Sequence, residues 1–268
     1  MSISLLSLAT MTAAYEFIPG INSRALKKGD AEPALTKKFR VNGMLFCPFT
    51  ERVQLYISRK NTEADVVNIN LADKPEWYTK KHKKGSVPTF QLGDTIIGRD
   101  SMKIAELLDI IEPETTVLSE DEEKRNEELE KTNQLSKKVV PILGALKKHG
   151  LDKEKTGEKW KNVSEKIAEG RLTLQPVLQN STFLSGDHPG FADYMIYPLT
   201  ERFWILQNMW KDKLLVKEET AEFSKWFKTM SNLPEVARVR QPLEGHIRHF
   251  ETVFAGEPEY DLETPMRE

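Results

Sequence analysis

The sequence predicts two domains of different class, a small mixed α/β domain followed by a larger all-helical one. Three observations predict this. Between Lys38 and Ile111 short apolar runs follow the order strand, helix, strand, turn, strand, strand, helix, which suits a small sheet with helices packed on it. Pro113 and the polar Glu114-Thr115-Thr116 then interrupt the pattern as a linker would. Beyond Ser119 every apolar periodicity is helical. The boundaries read as an N-terminal extension over 1–37, the α/β domain over 38–112, a linker over 113–118, the helical domain over 119–256 and a tail over 257–268. No repeat of fixed period occurs.

Residues 1–37 show no sustained periodicity and carry Pro19, Gly20, Gly29 and Pro33, so they read as an extension with little structure of its own. Phe39 and Val41 begin a short strand that runs toward Cys47-Pro48. Phe49, Val53, Tyr56 and Ile57 then fall on one face of a helix. Val67, Ile69 and Leu71 alternate with Asn68 and Asn70 in a second strand, and a polar helical turn follows at Pro75-Glu76-Trp77. Val87–Leu92 and Thr95–Ile97 flank Gly93-Asp94, the signal of a two-residue hairpin. Ile104, Leu107, Leu108 and Ile111 mark a helix with Ser101 placed as its N-cap. In the second domain Ser119 and Glu122 have the spacing of a capping box, ahead of a long charged helix that turns apolar at Leu135, Val139, Ile142, Leu143 and Leu146. Three more apolar faces follow, around Ala192–Leu206, Phe223–Met230 and Leu243–Phe254.

Composition excludes several classes of function. In 268 residues, 39 Lys and Arg oppose 41 Asp and Glu, a formal charge of −2. A general nucleic-acid binder carries a marked basic excess, so no nucleic-acid partner is expected. No run of about 18 uncharged apolar residues occurs, so stable membrane insertion is not expected either. The first 14 residues are mildly apolar but lack the basic start of a secretory signal. The triplets Asn162-Val163-Ser164 and Asn180-Ser181-Thr182 would matter only in a secreted chain. A single cysteine leaves no internal disulfide and points to a reducing, cytoplasmic setting.

That cysteine is the first candidate for chemistry. Cys47 lies where the first strand meets the N-terminus of its helix, with Pro48 suited to the first helical position. Unpaired N–H groups and the helix dipole favour a thiolate there, and such sites lower a cysteine pKa from about 8.5 into roughly 3.5–7.5. An inert buried cysteine is the plain alternative. Thr50 stands where a dithiol motif would have its second cysteine; its hydroxyl could serve the sulfur or simply fill the first turn. Without a resolving cysteine, Cys47 has to be regenerated by an external thiol, for which glutathione is the abundant candidate.

The other candidates are read beside their structural alternatives. Val87-Pro88 enters the third strand. Such a proline is usually trans and edge-located, whereas a cis bond would turn the Val87 N–H and C=O outward to pair with an extended peptide. Asp100-Ser101 caps a helix whose N–H groups would also receive a ligand carboxylate, while Asp100 could hold an ammonium. Lys74 could pair with a second carboxylate or simply be solvated. His82, His149, His188, His246 and His249 form no ligand set, so no metal is expected. No Gly-rich phosphate loop and no Ser-His-Asp arrangement stands out.

Taken together, Leu45-Phe46-Cys47-Pro48-Phe49-Thr50-Glu51-Arg52-Val53, Asn68-Ile69-Asn70-Leu71, Lys74-Pro75-Glu76-Trp77, Val87-Pro88, Asp100-Ser101, Asp193–Pro198 and Glu201-Arg202 resemble omega-class glutathione S-transferases over roughly residues 38–262. The resemblance implies a thioredoxin-like α/β domain joined to an all-α domain, and a homodimer. It implies glutathione as cosubstrate, thiol transfer and dehydroascorbate reduction on a small oxidised or electrophilic second substrate, and weak conjugation. It favours the cis form of Val87-Pro88. Carried over by position, Cys47 is the nucleophile, and Phe49, Lys74, Val87, Pro88, Asp100 and Ser101 make the glutathione site. Arg202 and Trp226 would face the second-substrate pocket, with Arg202 equally suited to a structural ion pair. Three departures stand out: Asp100 replaces the usual glutamate, Gly190 stands where a Ser or Thr commonly caps the helix of Asp193, and the N-terminal extension is long. Two other readings remain open, a non-catalytic binding protein of the same fold and a membrane-associating relative similar to chloride intracellular channel proteins. Glu51, Arg52, Arg59 and Lys60 on the first helix make the latter costly in lipid.

Overall fold

The computed structural model describes residues 18, 20–154, 156–214 and 221–261. They form two compact units. One contains the described residues up to Pro113 together with Pro234–Arg240; the other contains those of Glu114–Leu233 and Gln241–Glu268.

The first unit runs β1 (Phe39–Gly43), α1 (Pro48–Lys60), β2 (Ala64–Asn68), α2 (Glu76–Lys81), β3 (Thr89–Leu92), β4 (Thr95–Gly98) and α3 (Ser101–Ile111). Its sheet has the order β2-β1-β3-β4. β1 is parallel to β2 and antiparallel to β3, and β3 is antiparallel to β4. A parallel pair needs a crossover, which α1 supplies, whereas β3 and β4 join directly through Gly93-Asp94. Gly93 has φ +53°, a conformation that favours glycine in so tight a loop. Phe39 and Phe90 stack at 5.1 Å across β1 and β3. Buried polar groups fasten α1 to α3: Lys60 Nζ donates to Asp109 Oδ1 at 2.9 Å and to the Glu112 carbonyl at 2.8 Å, and Tyr56 Oη donates to Asp109 at 2.5 Å.

The described half of the extension has little regular structure but is built into this unit. Leu26 pairs with Ile69 in a parallel bridge, its N–H on the Asn68 carbonyl at 2.7 Å and its carbonyl accepting from Asn70 N–H at 2.9 Å. The segment thus covers the otherwise open edge beyond β2. Asn68 Nδ2 donates to the carbonyls of Ile21 and Ser23, and Asp65 accepts from Thr36 N–H and Oγ1. Arg40, buried in β1, donates to the carbonyls of Pro33 and Ala34. One bridge and a set of side-chain anchors leave no periodicity to read in a sequence. The apolar stretch at the very start lies outside the described residues.

The second unit is helical: α4 (Glu122–Leu151), α5 (Gly157–Leu172), α6 (Gln175–Leu178), α7 (Phe191–Met209), α8 (Ala221–Ser231) and, after α9 (Pro234–Ala237), α10 (Leu243–Ala255). The cap of α4 is Asp121, whose carboxylate accepts from Lys124 N–H at 3.0 Å, and not Ser119 as the capping-box spacing suggests. Ser119 instead donates its N–H to Glu128 at 3.1 Å. α9 belongs to the first unit, so the expected helical stretch 119–256 is interrupted. Ser58 Oγ donates to the Glu235 carbonyl at 2.9 Å, and Arg238 donates to Ser58 Oγ and carbonyl at 3.1 and 3.0 Å. Gly190 caps α7 without a side chain. There the Asp193 carboxylate gathers Gly190 N–H, Leu184 N–H and Ser185 N–H at 2.8–3.1 Å and Trp226 Nε1 at 2.7 Å. The first residues of the tail turn back on α10, where Glu259 N–H donates to Thr252 Oγ1 at 3.2 Å. Residues 262–268 lie outside the described residues.

Candidate active site around Cys47

β1 ends at Gly43, and a turn closed by Cys47 N–H on the Met44 carbonyl at 2.9 Å delivers the chain to α1. Cys47 is the N-cap, in extended conformation, with Pro48 next and its carbonyl accepting from Glu51 N–H at 3.0 Å. The side chain therefore leaves the backbone where the first helical N–H groups have no intrahelical partner. Cys47 is 9% exposed, largely enclosed by its own turn. Fully buried Thr50 anchors that turn by accepting Met44 N–H at 3.3 Å, which gives its hydroxyl a structural place. The same packing demands a glycine at 43, because a Cβ there would stand 2.3 Å from Thr50 Cγ2.

Phe49 is half-buried, and the Arg52 guanidinium lies 5.2 Å over its ring. Arg52 is 3% exposed and donates from Nη1 to Ser101 Oγ at 3.3 Å. Burial lowers it to about 10, against the opposing charges of Asp100 and Cys47. Arg52 thus links Phe49 to Ser101 and shares its electrostatic surroundings with Cys47 and Asp100. From the sequence it counts only as one of the charges, with Glu51, Arg59 and Lys60, that make the first helix costly in lipid. A cation one turn after the candidate nucleophile was the available signal.

The cap of α3 is Asp100, not Ser101. Asp100 Oδ1 accepts both Met102 N–H and Lys103 N–H at 3.0 Å, while Ser101 is the first helical residue and is buried. Asp100 itself is exposed, and its Oδ2 has no partner among the described residues. The Val87-Pro88 bond is cis. Val87 is half-buried against Val67, Ile69 and Tyr78, and its N–H and C=O have no hydrogen-bond partner among the described residues. Lys74 donates Nζ to the Leu71 carbonyl at 2.8 Å, so its ammonium already has one acceptor and keeps two further protons to offer.

Arg202 takes the ion-pair place that the sequence left open for it, and Trp226 is buried with it in the helical unit. Each is 1% exposed. Arg202 pairs with the carboxylate of its neighbour Glu201, and Trp226 Nε1 is spent on Asp193. Both are packed inside the helical unit, where buried polar groups require internal partners. Among the described residues no group of three His, Cys, Asp or Glu converges as a metal site would. No helix among them is long and apolar enough to cross a membrane.

Comparison with known proteins agrees with this geometry. The family described as "Glutathione S-transferase, N-terminal domain" matches residues 42–116, and "Glutathione S-transferase, C-terminal domain" matches residues 107–234. The chain belongs to the glutathione S-transferase family. It is 35% identical to glutathione transferase omega-1 of Caenorhabditis elegans, over 91% of this chain and 98% of that one. Against glutathione S-transferase omega-1 of Mus musculus it is 31% identical, over 70% and 77% of the two chains. These relatives make it an omega-class member. The solved structure of glutathione transferase Omega 3C from Trametes versicolor shares the fold with a TM-score of 0.63 at 18% identity, over 79% of this chain and 91% of that one.

Proposed function

We propose that this glutathione transferase is a thiol transferase and dehydroascorbate reductase that works through a mixed disulfide between Cys47 and glutathione. The observation that carries the reading is the place of the chain's one cysteine, at the N-cap of α1 with Thr50 where a resolving thiol would stand. A thiolate at Cys47 attacks the glutathionyl sulfur of a mixed disulfide, a new S–S bond forms, and the substrate leaves as thiolate. A second glutathione thiolate then attacks the glutathionyl sulfur held on Cys47, releasing glutathione disulfide and restoring the enzyme. With dehydroascorbate, Cys47 and one glutathione thiol deliver two electrons and two protons, giving ascorbate and the Cys47–glutathione disulfide, which a second glutathione thiolate resolves to glutathione disulfide. The N–H groups that open α1 face negative charge on the sulfur at both stages.

In this reading Val87 pairs its free N–H and C=O with the peptide backbone of glutathione. Asp100 Oδ2 takes the γ-glutamyl ammonium, the first N–H groups of α3 at Ser101 take its carboxylate, and Lys74 takes the glycyl carboxylate. Phe49 and Pro88 shape the apolar wall beside Cys47. A soluble homodimer acting on a small oxidised or electrophilic substrate in the cytoplasm, with weak conjugating activity besides, completes the proposal. No residue is assigned to the second substrate, since Arg202 and Trp226 are packed inside.

The test compares wild type with Cys47→Ser in glutathione-dependent reduction of dehydroascorbate and of a small mixed disulfide. Turnover is expected to vanish while calorimetric glutathione binding stays within about threefold. Turnover that survives the substitution would overturn the cysteine route.

A further inference from the structure

We propose that Tyr78 is a positioning residue, holding Ser86 so that the main chain of Val87 is presented to glutathione, with His82 as a second grip. The proposal rests on the reading above, in which Val87 pairs with the glutathione backbone. Tyr78, in α2, is fully buried, and its Oη donates to the Ser86 carbonyl at 2.7 Å and lies 3.5 Å from Thr89 Oγ1. His82 caps the C-terminus of α2 by donating its N–H to the Tyr78 carbonyl at 2.8 Å, and its Nε2 shares a hydrogen bond with Ser86 Oγ at 3.1 Å. Its ring sits edge-on to Tyr78, centroids 6.1 Å apart. Ser86 is thus held at both its carbonyl and its hydroxyl.

On the far side of Val87, Thr89 is fixed in β3, where its Oγ1 accepts from Asn42 Nδ2 at 3.1 Å. The strip from Ser86 to Thr89 is therefore secured at each end, and the N–H and C=O of Val87 lie between the anchors without a partner among the described residues. Position in such a strip decides whether two hydrogen bonds to an extended ligand form together, since both ends of a β-type pairing have to be in register. Burial pushes the Tyr78 hydroxyl up to about 12, so it keeps its proton to donate in neutral solution. A charge on Cys47 acts in the same direction, which places the hydroxyl within electrostatic range of the sulfur. Burial and the nearby charges of Arg99 and Lys84 hold His82 below its ordinary value, so it grips Ser86 as a neutral ring.

Tyr78→Phe keeps the buried ring and removes only the hydroxyl, with its bond to the Ser86 carbonyl and its longer one to Thr89 Oγ1. Steady-state reduction of a small mixed disulfide, with calorimetric glutathione affinity measured alongside, is expected to show KM and Kd for glutathione raised about tenfold and kcat within about twofold of wild type. A tyrosine that only supported the fold would lower kcat through lost active protein and leave KM in place; that outcome overturns the proposal. His82→Ala, which removes the bond to Ser86 Oγ and the edge contact with the Tyr78 ring, is expected to raise KM about threefold. It decides the matter if Tyr78→Phe does not fold, and an unchanged KM there overturns the proposal too. A wild type that binds no glutathione would overturn the underlying reading together with this one. A wild type that binds, with variants that bind equally well, overturns this one alone.

Discussion

At position 100 one carboxylate caps a helix and, in the proposed function, holds the ligand ammonium, and a single substitution separates the two. Asp100 Oδ1 caps α3 through Met102 and Lys103, while Oδ2 has no partner among the described residues. Asn caps helices about as well as Asp but carries no charge. Asp100→Asn is therefore expected to leave unfolding stability within about 0.5 kcal/mol of wild type. The same change raises KM for glutathione about three- to tenfold, the worth of a charge-assisted hydrogen bond at a partly exposed site. Steady-state kinetics and urea unfolding on the same preparation check both halves; an unchanged KM would remove Asp100 from the site. The neighbouring residues show what a sequence conveys at this scale. Cys47 and Pro48 were legible because strand, cap and first helical position are all local signals. Arg52 was not, because its role depends on Phe49 and Ser101 closing around it. The same holds for Tyr78, whose partner Ser86 comes eight residues later, beyond any helical or strand period.

The helix starts implied by Pro48 and by the caps read at Ser101 and Ser119 fall within two residues of those observed, but no start was read for α5, α6 or α9, and the capping residue was misassigned twice. Ser101 and Asp100, like Ser119 and Asp121, are adjacent or nearly adjacent residues of equal capping propensity, and only side-chain geometry separates them. Gly190 is the converse case. A serine there would usually stabilise the helix by only a few tenths of a kcal/mol over glycine, so its absence reads as a somewhat weaker cap. The structure gives the reason for its absence: a Cβ at 190 would lie 2.6 Å from Ser185 Cβ and 2.7 Å from its Oγ. Asp193 meanwhile collects Gly190 N–H, so the start of α7 does not lack a partner. Gly190→Ser is expected to destabilise the chain by about 1–2 kcal/mol through overpacking, despite the better capping residue. Pairing it with Ser185→Gly should recover part of the loss. Urea unfolding of the single and double variants measures this, and a stabilised Gly190→Ser would show that the close approach yields without cost.

For the whole molecule, the two-part fold was legible because strand and helix patterns alternate before Pro113 and only helical ones follow it. The return of Pro234–Arg240 to the first unit was not, because Ser58 recognises that segment across 177–180 residues of sequence. The fold-back of the tail on α10 was equally hidden, and it sets how stability depends on pH. His249, in α10, is 5% exposed and donates from Nδ1 to the Glu259 carbonyl at 2.8 Å. Burial lowers it to about 4; the Glu259 bond opposes this, and the charges of Arg202 and Lys147 reinforce it. A histidine held below its unfolded value of about 6.5 is neutral in the fold and must take up a proton to relax. Its contribution is therefore complete above about pH 6.5 and is lost as pH falls toward 4, and by linkage it amounts to roughly 3 kcal/mol. His249→Asn can still donate to the Glu259 carbonyl but cannot titrate. Urea unfolding at pH 7, 6, 5 and 4 should show wild type losing roughly 3 kcal/mol more than the variant across this range, with other titrating groups cancelling in the difference. Parallel losses in the two proteins would mean that His249 takes up its proton without disturbing the tail, and acid sensitivity would then have to come from elsewhere in the chain.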